Sequence, residues 1–211
     1  MLNVREAIEM RRSVRHFRPD EVPDKLIEQM LEGARLAPSG SNIQPWRFLV
    51  IKDNEVKKEL RHICLEQQFV EEAPVVIICF SDLEAYSREA RRKRRQEYIK
   101  FGVTATLSGR FADPKFRARR DSLPTPSHQE LITSAKANTF IAIEHLVLMA
   151  TALGLGTCWV GAFDADDINR LLGLPDNLIP AAVIPVGYAA GKIPPQRPRR
   201  SLQEILLKPF P

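Results

Sequence analysis

The chain has 211 residues, a net charge of +5 and 44% hydrophobic residues, enough for one domain with a sizeable core. No apolar run approaches the ~20 residues of a membrane span, and Arg5, Glu6, Glu9, Arg11 and Arg12 interrupt the N-terminus where a secretory leader would be continuously apolar, so a cytoplasmic protein is expected. Three scattered cysteines without CxxC spacing and four histidines outside any ligand spacing argue against a disulfide framework or an iron-sulfur cluster, and no metal is expected. The basic balance favours anionic partners, but aromatic residues make up only 7% and do not interleave with the basic stretches, which argues against nucleic acid.

Val4, Ala7 and Ile8 have helical spacing, broken by the turn residues from Pro19 to Pro23. A second helix is predicted over 24–36, with Asp24 as N-cap and Leu26, Ile27, Met30, Leu31 and Ala34 on one face. Residues 37–45, rich in Pro, Ser, Gly and Asn, form a loop that feeds a strand at 46–51. A helix over 56–64 precedes the block Val75-Val76-Ile77-Ile78-Cys79-Phe80, whose β-branched apolar run marks a central strand buried on both faces. From 81 to 134 the sequence turns Arg-rich and Pro-interrupted, predicting an inserted helical excursion or lid. Residues 135–153 are apolar around most of their circumference, so this helix is expected to be buried nearly all round, with Gly154 and Gly156 ending it. A strand at 157–163, a short helix opened by Asp164 and running to 172, and a strand at 181–188 follow. Beyond Gly191 the chain is rich in Pro and Arg until the capping box of Ser201 and Glu204 starts a terminal helix. Strands separated by helices imply an α/β or α+β fold with one central sheet flanked by helices.

Four clusters have chemical potential, each with a plainer alternative. Arg11-Arg12-Ser13-Val14-Arg15 brings paired donors that suit a phosphate, or is a solvated basic helix end. Ala37 to Trp46 offers Ser39, Asn42 and Gln44 on a backbone of small residues, suited to a planar heterocycle, or is a helix-to-strand turn. Gly154-Leu155-Gly156-Thr157-Cys158-Trp159-Val160-Gly161 is no dinucleotide loop, because its glycines follow a helix and open a strand, the reverse of the required order. Arg197-Pro198-Arg199-Arg200 adds phosphate donors or is a solvated tail. The basic runs 88–95 and 115–120 attract an acidic substrate or a nicotinamide cofactor's phosphates, or are solvated helix faces.

In this order the four clusters, with His16-Phe17 and Gly187-Tyr188, resemble the nitroreductase family of FMN enzymes across nearly the whole chain. The resemblance implies a dimeric α+β sandwich with a mostly antiparallel central sheet, and one FMN-binding domain over 1–211 with a variable lid at about 81–134. It implies that Arg11, Ser13 and Arg199 hold the FMN phosphate, with Arg12 beside it and Arg197 as a further contact. Arg15 is implied near N1 and O2 of the flavin, Pro38, Ser39 and Asn42 on the partner subunit's side or rim, Gln44 at the pyrimidine edge, and Val160 and Gly161 along N5. The implied helix at the dimer core spans 140–153, and the C-terminal segment reaches over the neighbour. The implied activity is ping-pong transfer from NADH or NADPH through FMN to a nitroaromatic, a quinone or a related acceptor, with no protein side chain as catalyst. A dehalogenase-like or flavin-degrading relative of the same fold, and a flavin-binding protein without turnover, are the alternatives.

Overall fold

A computed structural model describes residues 2–101, 114–122 and 124–207. Its central sheet has four strands, β1 (Trp46–Ile51), β2 (Val75–Asp82), β3 (Gly156–Thr157) and β4 (Leu178–Gly187), in the order β1-β2-β4-β3 with every pairing antiparallel. All of β2 is buried, as the unbroken apolar block predicts. Strand alternation explains how one strand serves two cores. Val75, Ile77 and Cys79 face one side, where α2 (Asp24–Arg35) and α7 (His128–Ala152) contribute Ile27, Met30, Ala142, Ile143, Leu146 and Val147. Val76, Ile78 and Phe80 face the other, against Leu60 of α3 (Asn54–Ile63), Phe69 and Val70 of α4 (Gln68–Glu72), and Ile168 of α8 (Ala165–Leu172). Helices on both faces of an antiparallel sheet make the fold α+β.

The chain enters through α1 (Val4–Met10), and residues 13–18 then lie along the outer edge of the sheet. Val14 N–H donates to Thr157 O at 2.9 Å, Arg18 N–H to Tyr188 O at 2.9 Å, and Ala190 N–H to His16 O at 2.8 Å. Beyond β2, α5 (Arg88–Lys100) and α6 (Pro114–Asp121) occupy the predicted excursion, and α9 (Leu202–Ile205) ends the chain behind its expected Ser201–Glu204 capping box.

Four expectations are revised. Pro23, not Asp24, holds the N-cap position of α2: Pro23 O accepts from Leu26 and Ile27 N–H, while the Asp24 carboxylate is drawn to Lys52 Nζ at 2.5 Å. The strand expected at 157–163 shrinks to Gly156–Thr157 plus a lone bridge between Val160 and Val183. The next β4 residue opposite Cys158 is Pro185, which accepts from Cys158 N–H but has no N–H to return, so the ladder breaks there. The excursion loses both ends, since Ser81 and Asp82 belong to β2 and α7 starts at His128 on a second capping box, Ser127 with Glu130; residues 102–113 and 123 lie outside the described residues. Finally, α7 is not buried all round, because Phe140 and Ile141 stay 41% and 42% exposed.

The close approach of residues 13–15 to the sheet depends on Gly156, where an added Cβ would meet Val14 Cγ2 at 2.7 Å. Gly156→Ala is expected to lower stability by about 1–3 kcal/mol, as overpacking does, measured as a shifted midpoint in denaturant unfolding; an unshifted midpoint would show that this edge is not tightly packed.

Candidate functional site

Arg11 closes α1, its N–H donating to Ala7 O at 3.0 Å, and the chain continues extended. Extended backbone sends alternate side chains to opposite sides. Val14 goes inward, and Arg11, Ser13 and Arg15 converge on Cys158 from the other side. Burial pushes the Cys158 thiol up, and the charges of Arg15 and Arg11, with a hydrogen bond from Ser13, draw it partly back. Two of the four clusters therefore meet, and just past the first of them the Arg18 guanidinium lies 4.9 Å from the Tyr188 ring. Arg15 lies 5.9 Å from the Phe69 ring centroid on α4. Among the described residues neither Arg11 nor Arg15 is in an ion pair. Arg12 is differently placed: its Nη1 donates to Glu9 O and Arg11 O at 2.7 and 2.8 Å, capping the end of α1, and its buried Nε has no partner.

Past Cys158 the main chain opens outward. Val160 exchanges both backbone hydrogen bonds with Val183 at 3.0 Å, so its own N–H is already used. Gly161 differs. It is exposed, its N–H is not bonded among the described residues, and a Cβ there would meet nothing within 4 Å. Two unpaired guanidiniums, a hydroxyl, a buried Thr157 Oγ1 without a partner and an uncovered backbone amide fit an anionic, planar cofactor with an acceptor edge.

The loop before β1 is held in a costly shape. Ser41, Asn42 and Gln44 have φ of 52°, 52° and 51°, left-handed backbone that non-glycine residues seldom adopt and that costs of order 1–3 kcal/mol each. Tethers from all sides hold it there. Ser39 Oγ accepts from Gln44 N–H at 2.9 Å, Asn138 Oδ1 of α7 accepts from Gly40 N–H at 2.7 Å, Arg94 Nη1 of α5 donates to Ile43 O at 2.9 Å, and Tyr98 Oη donates to Ser41 O at 3.3 Å. Arg94 also donates to Ala85 O, and burial pushes its pKa below the ordinary value. Pro38 is exposed at the rim. Asn138, Arg94 and Tyr98 were missed from sequence: an amide within the stretch expected to be buried nearly all round was a usable signal for Asn138, whereas Arg94 is one of six cations in its run and Tyr98 carries no mark.

The structure does not bring this loop to the arginine cluster. Thr157 pairs with Val186 on β4, while Trp46 pairs with Ser81, which pairs with Ile179. At about 3.3 Å per residue and ~4.8 Å per strand, the loop enters the sheet roughly 23 Å along and roughly 14 Å across from the cluster. Arg197 and Arg199 stand on a segment exposed from Gly191 through Ile205, and among the described residues Arg199 donates to Arg197 O and Pro198 O.

Residues 8–188 match the Nitroreductase family. This chain belongs to the nitroreductase family. A Thermus thermophilus protein named NADH dehydrogenase is 32% identical over 207 residues, covering 98% of this chain and 96% of its own. A Methanothermobacter thermautotrophicus protein, whose name offers NADH dehydrogenase or NAD(P)H nitroreductase, is 30% identical over 90% of this chain and 78% of its own. An Exiguobacterium sibiricum protein solved in complex with FMN is 26% identical, with a TM-score of 0.80 over 98% of this chain and 97% of its own. Among the described residues, no helix is long and apolar enough to cross a membrane.

The three cysteines of this family member are buried, with the Cys64 thiol pushed up to about 12 and those of Cys79 and Cys158 also raised by burial. Raised pKa values keep thiols protonated and unreactive at neutral pH. A chromogenic disulfide reagent at pH 7.5 should find almost no thiol in the native protein and all three after denaturation; rapid native labelling of Cys158 would mean that the cations outweigh its burial.

Proposed function

We propose that this chain is an FMN-dependent oxidoreductase that takes hydride from NADH or NADPH and passes the electrons to a nitroaromatic, a quinone or a related small acceptor. One observation carries the reading: Arg11, Ser13 and Arg15, without ion-pair partners of their own, stand beside the open backbone leading to Gly161, in a family with an FMN-bound relative. The flavin, when bound, supplies the redox chemistry by accepting hydride at N5 and releasing it to the second substrate, so ping-pong kinetics follow.

The protein's share is binding, orientation and electrostatics. Arg11 and Ser13 hold the phosphate with charge-assisted donors, joined by Arg197 and Arg199 from the C-terminal segment and by what Arg12 has left after capping α1. Arg15 fixes a positive charge at the N1 and O2 edge, where negative charge collects on reduction, and so favours hydride uptake. Gly161 offers its free N–H to N5 and leaves that edge uncovered. No side chain has to move a proton.

The loop at the opposite corner gives the reading its quaternary form. Pro38, Ser39, Asn42 and Gln44 are too distant to share one small cofactor with Arg11 in the same copy, so they serve the flavin of a second copy, Gln44 meeting the pyrimidine edge. Exposed apolar side chains support a homodimer: Val4, Ile8 and Met10 on α1 and Phe140 and Ile141 on α7, which α1 packs against. The exposed arm from Gly191, carrying Ile193, Leu202 and Ile205, then reaches over the neighbour. The assembly is a cytoplasmic enzyme of one FMN-binding domain per chain, with the α5–α6 region as its variable part.

The purified protein should be yellow, and its visible bands should bleach under anaerobic NADH or NADPH and return with a quinone or nitroaromatic. A colourless protein that cannot be reconstituted with FMN would overturn the assignment, and a flavin that no nicotinamide reduces would leave a binding protein. Arg11→Ala should weaken FMN retention about tenfold or more, the worth of a charged hydrogen bond, without changing the oligomeric state by size-exclusion chromatography; unchanged affinity would remove Arg11 from the phosphate site.

A further inference from the structure

Gln44 is held on both sides. The direction of a residue's Cα–Cβ bond is set by the two peptide planes that flank it, and both planes around Gln44 are bonded. In the plane before it, Ser39 Oγ accepts from Gln44 N–H at 2.9 Å and Arg94 Nη1 donates to Ile43 O at 2.9 Å. In the plane after it, Arg47 Nη1 donates to Gln44 O at 3.2 Å. Between them the residue keeps its φ of 51°. Its side chain is nearly uncommitted: Nε2 makes one long bond to Asn42 O at 3.4 Å, and Oε1 has no partner among the described residues. A fixed main chain beneath a spare amide is how a binding group is held ready for a ligand.

Both arginines refer Gln44 to the end of β2, the strand buried on both faces. Arg47 Nη2 pairs with Asp82 Oδ2 at 2.7 Å, and Asp82 Oδ1 accepts from Glu84 N–H and Asn177 Nδ2 at 2.9 and 3.0 Å. Arg94 Nη2 donates to Ala85 O, in the 3-10 turn Leu83–Tyr86 that follows β2. The two differ in cost. Arg47 has a carboxylate, whereas Arg94, half-buried, has two main-chain carbonyls and is in no ion pair among the described residues. Taking a cation out of water without a carboxylate is unfavourable. Docking α5 does not require it, since a neutral amide would satisfy one carbonyl. What a guanidinium adds is a rigid planar fork that bridges carbonyls of two separate segments.

We propose that Arg94 is a positioning residue for the cofactor: by bridging Ile43 and Ala85 it fixes the direction in which Gln44 is presented, and with it the affinity for FMN. The inference rests on the flavin-enzyme reading above, in which Gln44 meets the pyrimidine edge. Arg94 itself touches no flavin atom. Without the bridge, the peptide between Ile43 and Gln44 is held by Ser39 alone, and Gln44 relaxes from its left-handed backbone toward the commoner negative φ. That rotation carries its amide away from the ligand. The cost of binding then includes returning the loop to its strained shape, which the bridge otherwise meets in advance.

The test is a double-mutant cycle on FMN affinity, read from the flavin fluorescence released when the FMN-loaded enzyme is diluted. Arg94→Ala should weaken FMN binding about tenfold or more, the worth of a hydrogen bond to a charged group. With Gln44→Ala already in place, the same change should cost less than about twofold, because the group that Arg94 positions is gone. The visible bands of the bound flavin should shift in Arg94→Ala in the same direction as in Gln44→Ala. Millimolar ethylguanidinium, entering the cavity of about 290 Å³ beside Ile43, Ala85 and Arg94, should restore affinity to Arg94→Ala where equal sodium chloride does not. Should Arg94→Ala not fold, Arg94→Lys, which keeps stem and charge but lacks the fork, takes its place in the cycle with the same expectation. Unchanged affinity on losing Arg94, or an equal loss in both backgrounds, would overturn the proposal, since Arg94 would then only dock α5. A wild type that holds no FMN, or Gln44→Ala with wild-type affinity, fails the flavin reading of the loop and takes the proposal with it, a result visible before Arg94 is changed.

Discussion

The docking of residues 13–18 along the outer edge of the sheet is the constraint on which the candidate site depends. Two short main-chain bonds, from Val14 to Thr157 and from Arg18 to Tyr188, lay the segment flat against the edge, and the missing Cβ of Gly156 lets it come close. Extended backbone then does the sorting, sending Val14 into the core and Arg11, Ser13 and Arg15 toward Cys158. An otherwise ordinary basic helix end becomes a set of aligned donors beside an open backbone amide.

The same sheet keeps the loop before Trp46 away from the arginine cluster. β2 is buried on both faces and fixes β1 and β4 in register, and that register puts the loop before Trp46 at the opposite corner from Thr157. The loop's left-handed residues are held by partners on α5 and α7, so its strain is offset by bonds to elements that are themselves anchored in the core or beside it. Fixed placement at both corners, with apolar side chains uncovered on α1 and α7, is the observation that supports the proposed symmetric pair.

Much of this was legible in the sequence where a local rule decides the matter. The unbroken apolar run of β2 marked the central strand, Asp164 and Ser201 marked helix starts, and the antiparallel α+β arrangement agreed with the family resemblance. Boundaries failed where the deciding partner lay far away in sequence. The strand after Gly156 was overdrawn because Pro185, some thirty positions later, ends its ladder. α7 was begun too late because its real capping box, Ser127 with Glu130, sits inside the stretch read as a separate helical excursion or lid. Its exposure was underestimated because an apolar circumference does not say whether the covering surface belongs to the same chain. In the site, the arginine cluster and the glycine-rich segment were both recognised, but their meeting on Cys158 follows from sheet pairing, which no local pattern encodes. Which amide of the Val160–Gly161 segment is unbonded was hidden for the same reason, since the pairing of Val160 with Val183 is invisible until the fold is known.

The proposed division of the site between opposite corners of one sheet has a consequence for inheritance. In the proposed symmetric pair each cofactor would rest on the arginine cluster of one copy and the loop of the other, so a chain damaged at Arg11 and a chain damaged at Asn42 would not be defective in the same place. When two such chains assemble together, one site collects both lesions and the other collects none. On that proposal, two inactive alleles would restore one of the two sites in each mixed pair, and selection would act on pairs of chains rather than on each chain alone.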